Sequence, residues 1–285
     1  MALFTLLLIL PLYAQESVKH ATNYFQGQGN VNIFYQGWNV DHPSAVMVIV
    51  HGFTGSSDQF KELAENFSKL GLSVYALDHR GHGQSEGLRY TTNNFDDYVT
   101  DLKTFVDMIK QWEPGKDIFM LGHSLGGEIT LKYALTYPND LKGIIASSPG
   151  IGAYLSLPVI GKRPVPFQVD PAIIPFMETM ARTFPNLSVP MTELSQPITL
   201  EFAIEVAKNM IYLQDNAQNI TVPCLFIIGS ADPLIPLKAV KTFYDNIQIK
   251  DKAFIVYDGL DHNIFHTPYV DIVYKDLNAW LLPRL

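Results

Sequence analysis

Three short stretches of this 285-residue chain could together carry acyl-transfer chemistry. They are Gly122-His123-Ser124-Leu125-Gly126, Gly229-Ser230-Ala231-Asp232-Pro233 and Asp258-Gly259-Leu260-Asp261-His262. A serine hydroxyl is a weak nucleophile. Its attack on a carbonyl needs a base to take the proton, an acid to orient that base, and donors for the oxyanion that forms. Ser124, Asp232 and His262 supply a nucleophile, an acid and a base in that chain order. A serine among glycines, or a loop aspartate or histidine, is common when met alone. Here each one follows an apolar run: Ile118 to Leu121, Cys224 to Ile228, and Ala253 to Tyr257.

For Ser124 to be reactive, its hydroxyl must be lifted clear of the backbone at the end of a sheet. The apolar run before Gly122 and the helical pattern from Glu128 to Tyr137 predict a strand, a sharp turn and a helix, a nucleophile elbow. Gly122 and Gly126 lack a Cβ, so the turn can strain and the helix can approach closely. Asp232 falls in a loop at the carboxyl end of the next apolar run, where open α/β sheets build their sites. His262 falls in the loop after the run that follows.

The rest of the chain supplies the frame. Aromatic and polar residues mix from Asn23 to Trp38 around Gly27-Gln28-Gly29-Asn30, the pattern of a β-hairpin at a sheet edge. Ala45 to Val50 is apolar throughout, as a strand covered on both faces should be, and it ends in His51-Gly52-Phe53-Thr54-Gly55. Phe60, Leu63, Ala64, Phe67 and Leu70 recur at helical spacing before Gly71, and Leu72 to Leu77 is the next strand. Phe95, Val99, Leu102, Phe105, Ile109 and Trp112 form one stripe of a helix, with Asp96 and Asp97 near its positive end. A strand near Gly143 to Ala146 and a closing helix from about Val270 to Leu281 complete an α/β alternation, which predicts a mostly parallel sheet. Between about Ser147 and Val222 the alternation stops. This Pro-rich, bulky apolar insertion is read as a helical cap.

Composition bounds the partners. With 47% hydrophobic and 17% charged residues the chain can bury a large core, as one domain with an insertion. A net charge of −8 with no basic stripe argues against nucleic acid. Leu3 to Leu12 is too short to span a bilayer but suits a signal-peptide h-region. Residues 1–14 are therefore expected to be a signal peptide, cleaved after Ala14 to leave a mature domain of 15–285 that is secreted or periplasmic. The alternative is a retained apolar N-terminus that associates with a membrane. The single Cys224 sits in an apolar run and reads as a buried small hydrophobe.

The chain resembles α/β-hydrolases of the monoacylglycerol lipase and lysophospholipase type. The matching segments are His51-Gly52-Phe53, the run from Asp78 through His79-Arg80-Gly81-His82-Gly83-Gln84-Ser85-Glu86 to Gly87, the Ser124 elbow, Gly229-Ser230-Ala231-Asp232 and the loop at His262. They cover the chain from about Phe34 to its end, apart from the cap. The resemblance implies an α/β-hydrolase fold, a mostly parallel central sheet flanked by helices with an inserted cap. It implies Ser124 as nucleophile, Asp232 as acid, His262 as base, and the backbone N–H groups of Phe53 and Leu125 as oxyanion donors. No cofactor and no metal are implied, which makes Asp78, His79 and His82 a structural loop rather than a metal cluster. The substrate implied is a small lipid ester, a monoacylglycerol first and a lysophospholipid next.

Ligand pockets are mostly apolar, so Tyr154, Leu155, Ile174, Phe176 and Met177 of the cap are expected to line an acyl channel. The cap is also where transient contact with a membrane or micelle is expected. Two competitors of the main residues rank behind them: Asp261, because sequence neighbours seldom point at each other, and His266 as base. His51 and His123 are expected to hold backbone geometry. Two rival readings stay open. One is a small-ester carboxylesterase or an aminopeptidase on the same framework, the latter using Glu178, Glu193 or Glu201 to hold a substrate amine. The other is a non-catalytic binding protein.

Overall fold

Ala45–Val50, apolar at every position, forms the central strand β3, with Val46, Val48 and Val50 facing one hydrophobic layer and Ala45, Met47 and Ile49 the other. This two-sided burial is what an unbroken apolar run specifies in a covered sheet. The computed structural model describes residues 18–152, 188–189 and 198–285. Among them, eight strands form one sheet in the order β1-β2-β4-β3-β5-β6-β9-β10. The strands are β1 Lys19–Gln26, β2 Asn32–Asn39, β3, β4 Leu72–Leu77, β5 Ile118–His123, β6 Gly143–Ser147, β9 Cys224–Gly229 and β10 Lys252–Tyr257. Strand β2 runs antiparallel to both of its neighbours, and every pair from β4 to β10 is parallel. The hairpin read around Gly27 to Asn30 is β1 and β2, at the sheet edge. A short separate pair, β7 Ser188–Val189 and β8 Ile198–Thr199, lies within the insertion.

Helices cover both faces. Helix α1 (Lys61–Ser68) and helix α6 (Val270–Leu281) share one core with Phe60, Phe119, Leu225 and Phe265. On the other face lie α2 (Asp96–Trp112), α3 (Leu125–Thr136), α4 (Leu200–Asn216) and α5 (Leu237–Asn246). The stripe on α2 is buried from Tyr98 to Ile109, whereas Trp112 sits at the rim and stacks on Tyr35. Helix α5 was not evident in the sequence, since only Val240 and Phe243 of its ten residues are buried. Among the described residues no helix is long and apolar enough to cross a membrane.

The insertion is described only in part. Its far end is α4, capped by the Thr199 hydroxyl, which accepts the Phe202 N–H at 3.2 Å. Leu200, Phe202, Ala203, Met210 and Leu213 of α4 join the same core as α2 and α3. Tyr154, Leu155, Ile174, Phe176 and Met177, and the apolar run before Ala14, lie outside the described residues.

The sheet order decides where a site can form. From β3 the chain goes to β4 on one side and later to β5 on the other, so the order reverses between β3 and β5. Open α/β sheets bind ligands at such a switch point, beyond the carboxyl ends of the strands. Val50 pairs with Gly122, His123 with Ser147, Ser147 with Ile227, and Gly229 with Tyr257. This register aligns the ends of β3, β5, β6, β9 and β10.

Candidate active site

Ser124 makes the turn from β5 into α3 with φ 55° and ψ −119°, a backbone region that a non-glycine residue seldom adopts. The turn is held from several sides. The Ser124 N–H donates to the Ser147 carbonyl at 2.9 Å, and the Ser124 carbonyl accepts from Gly127 at 2.9 Å, Gly150 at 3.1 Å and Glu128 at 3.2 Å. Gly126 is needed for close approach, because a Cβ there would overlap the carbonyl oxygens of Val50 and His51. The start of α3 therefore crosses the end of β3. Ser124 itself stays partly exposed between buried neighbours.

Gly52, after β3, lies against the serine: a Cβ on it would sit 3.0 Å from the Ser124 Cβ. The next residue, Phe53, stacks on Phe202 of α4 at 5.3 Å between ring centroids and 19° between planes, and meets Tyr90 and His82 edge-on. The Phe53 N–H has no hydrogen-bond partner among the described residues. Nor has that of Leu125, the first residue of α3. Helix termini leave such donors free, and the helix dipole favours negative charge there.

Asp232, in the loop after β9, has a buried side chain that is fully engaged. Its Oδ1 accepts the N–H groups of Leu234 and Ile235, each at 2.9 Å, and its Oδ2 accepts Nδ1–H of His262 at 2.8 Å. Burial pushes the Asp232 carboxyl up, but the hydrogen bond and charge of His262, with the two amides, outweigh it and hold the pKa below the ordinary value. With Nδ1 committed to Asp232, the other ring nitrogen of His262 is left free to accept. The His262 ring lies 4.8 Å from that of His123, the residue before the serine. His123 is buried against the Ser147 hydroxyl, at 3.1 Å from Nδ1. Burial first, then His262 and His266, hold its pKa well below the usual histidine value, so it stays neutral.

The competing residues are occupied elsewhere. Asp261 is exposed, and its Oδ1 accepts the Asn263 N–H at 2.9 Å. His266 is exposed and its Nε2 pairs with the Gln59 carbonyl at 2.9 Å. His51 holds backbone geometry: its Nε2 accepts the His79 N–H at 3.0 Å, while His79 Nε2–H donates to the His51 carbonyl at 2.9 Å. Asp78 accepts from Ser57 N–H and Oγ–H at 2.6 and 2.7 Å and from Gln84 N–H at 2.8 Å. Burial holds His51 at about 4 and His82 at about 3, both neutral. Arg80 in the same loop donates from Nε and Nη2 to the two oxygens of Asp101, both at 2.8 Å. Asp78, His79 and Arg80 thus tie the Asp78 to Gly87 run to Ser57, His51 and Asp101, and His82 packs it against Phe53.

Three residues near the site were not singled out by sequence: Phe202, which stacks on Phe53, and the buried pair Glu128 and Asn209, bonded at 3.0 Å. A carboxylate on the otherwise apolar first turn of α3 was the available signal for the pair. Of the glutamates that could hold an amine, Glu201 lies in the first turn of α4, and Glu178 and Glu193 lie outside the described residues.

Residues 41–268 match the family described as serine aminopeptidase, S33. Monoacylglycerol lipase of Mycolicibacterium smegmatis is 28% identical over 282 residues, spanning 92% of this chain and 96% of that protein. Human monoglyceride lipase is 29% identical over 255 residues, spanning 85% of this chain and 84% of that protein. A soluble variant of the monoglyceride lipase of Saccharomyces cerevisiae, solved with a substrate analogue, superposes with a TM-score of 0.77 at 22% identity, covering 96% of this chain and 98% of that one. At that identity the likeness speaks for the fold.

Proposed function

This chain belongs to the serine aminopeptidase S33 family of α/β-hydrolases, and from that premise we propose that it cleaves monoacylglycerols, or lysophospholipids, through an acyl-enzyme on Ser124. It is a carboxylic ester hydrolase of the monoacylglycerol lipase-like kind. The observation that carries the finer reading is the 2.8 Å hydrogen bond from His262 Nδ1–H to Asp232 Oδ2, with the His262 ring 4.8 Å from that of His123, the residue before a serine in a strained turn.

In this reading Ser124 Oγ attacks the acyl carbonyl while His262 Nε2 takes its proton. Asp232 stays ionised and stabilises the imidazolium. The oxyanion is held by the N–H groups of Phe53 and Leu125, which are preorganised and cost no rearrangement as charge develops. His262 returns the proton to the leaving glycerol oxygen. Water then attacks the acyl-enzyme with the same histidine as base, releasing the fatty acid. The low pKa of Asp232 supports this division of roles, because the orienting acid must remain charged while the histidine cycles.

The family's description names a serine aminopeptidase, whereas the mycobacterial and human relatives given above are named monoacylglycerol lipase and monoglyceride lipase. The ester reading is preferred on the apolar character of the insertion. Its residues Tyr154, Leu155, Ile174, Phe176 and Met177 are proposed to line the acyl channel, and residues 1–14 to be an export signal. A panel of monoacylglycerols, lysophosphatidylcholine, nitrophenyl esters and aminoacyl anilides tests the reading. The monoacylglycerols should give the highest kcat/KM; anilides turned over faster than esters would overturn it.

A further inference from the structure

Glu128 lies one turn beyond Ser124 on α3 and is 2% exposed. Its backbone N–H donates to the Ser124 carbonyl. On one side, its Oε2 accepts Nδ2–H of Asn209 from α4 at 3.0 Å. On the other, the backbone of Gly150 is seated directly on the carboxyl: a Cβ at that position would overlap Oε1. Gly150 in turn donates its N–H to the Ser124 carbonyl. One carboxyl group therefore touches α4 and a segment that holds the strained serine.

The hydrogen-bond inventory of this pair is incomplete in one respect. Asn209 is also 2% exposed, and its Oδ1 is buried without a donor among the described residues. A carboxylate can only accept, whereas a carboxylic acid has one O–H to give. The charged surroundings favour the acid as well. The charge that acts on Glu128 is that of Lys132, on its own helix, but the Lys132 ammonium is paired with Asp96 of α2 and lies over the rings of Phe95 and Tyr212. Helix α4 turns Asn209, not a cation, toward the carboxyl, and the Gly150 segment presents backbone. Among the described residues no cation pairs with the Glu128 carboxyl, and a buried carboxylate without one bears its full desolvation penalty.

We infer that Glu128 is a positioning residue kept as a neutral carboxylic acid, which with Asn209 fastens α4 and the Gly150 segment beneath the Ser124 turn, so that its ionisation loosens the nucleophile. It touches neither substrate nor reacting atoms. Burial, partly offset by Asn209 and Lys132, pushes the Glu128 carboxyl up to about 8, which places the switch on the alkaline side of neutrality. Because the folded pKa is raised, the stabilisation of the neutral form is complete below the ordinary value of 4.5 and is lost as pH rises through about 8.

The effect on turnover rests on the ester-hydrolase reading; the protonation state of Glu128 does not. The test compares wild type with Glu128→Gln, whose amide stays neutral and can donate to Asn209 Oδ1. Wild-type kcat on a nitrophenyl ester should fall about tenfold per pH unit above the titration with KM little changed. Glu128→Gln should keep the neutral-pH kcat, lose the alkaline fall and flatten the decline of Tm with pH. Infrared spectroscopy needs no substrate: wild type should show the carbonyl stretch of a buried carboxylic acid that Glu128→Gln lacks. No turnover of any ester, with that band present, would sink the hydrolase reading and leave the neutral acid standing. An unchanged alkaline limb and Tm slope in Glu128→Gln, or no such band in wild type, overturns the inference. If Glu128→Gln fails to fold, wild type decides alone: the buried-acid carbonyl stretch must be present at neutral pH and fade as pH rises in step with the fall of kcat, and a band that is absent or does not fade overturns it.

Discussion

Replacing Asp232 with asparagine changes one terminal atom and leaves the volume almost untouched. Oδ1 of Asp232 accepts two backbone N–H groups at 2.9 Å, and Oδ2 accepts Nδ1–H of His262 at 2.8 Å. An asparagine must keep its oxygen on the two amides, so its NH2 group faces His262. Two donors cannot face each other, and the imidazole proton moves to the other ring nitrogen, which can then no longer accept from Ser124. Losing the correct tautomer in a serine–histidine–aspartate arrangement lowers kcat by about 10⁴, ~5 kcal/mol at 1.36 kcal/mol per tenfold. The fold should suffer far less, by ~1–2 kcal/mol for one weakened hydrogen bond. Asp261→Asn is the matched control, since its exposed Oδ1 needs only to accept the Asn263 N–H, which asparagine still does. Its kcat should stay within about twofold, as expected for surface changes of ~0.5 kcal/mol or less. The assay is kcat and KM on a short nitrophenyl ester, with Tm measured in parallel. The low pKa of Asp232 adds a second signature: its charged form stabilises the fold above the ordinary value of 3.8 and this is lost as pH falls through the lower folded value. The stability gap between wild type and Asp232→Asn should therefore close in acid. A loss under about tenfold in Asp232→Asn, or an equal loss in Asp261→Asn, would refute the assignment.

Ser124→Ala and His262→Ala should each abolish turnover in a folded protein, with Tm unchanged in the first and lowered in the second, which leaves the buried Asp232 carboxylate without its partner, and the double variant should be no worse in turnover than either, because the groups act as one unit; fluorophosphonate labelling should vanish in Ser124→Ala. Asp101→Asn should destabilise by ~1.5–3 kcal/mol in urea unfolding, since Arg80 loses its two hydrogen bonds to a buried carboxylate while keeping Asp97 at 3.1 Å. Wild-type kcat/KM should rise about fourfold per added acyl methylene until the channel is full, from ~0.8 kcal/mol of burial each; a preference for acetate esters would turn the reading toward a small-ester esterase.

Much of this site is written in local sequence. The glycines at 122 and 126 mark a turn whose close approach no Cβ would allow, and the apolar runs before Ser124, Asp232 and His262 put each at a strand's end. These signals are local, and local sterics and periodicity fix them. The sequence left other matters undecided. Sequence ranks Asp232 ahead of Asp261, the neighbour of His262, but the contact itself comes from the positions of β9 and β10 side by side, which bring Oδ2 of Asp232 to the imidazole while Asp261 caps its own loop. The strand order, with its reversal between β3 and β5, comes from the packing of all the layers at once. Glu128 and Asn209 are 81 residues apart, on helices whose patterns give no hint of each other. Helical periodicity says which face of α3 and of α4 is buried; which residue of one meets which residue of the other depends on how the two helices lie on the sheet, and that is settled only when the core closes.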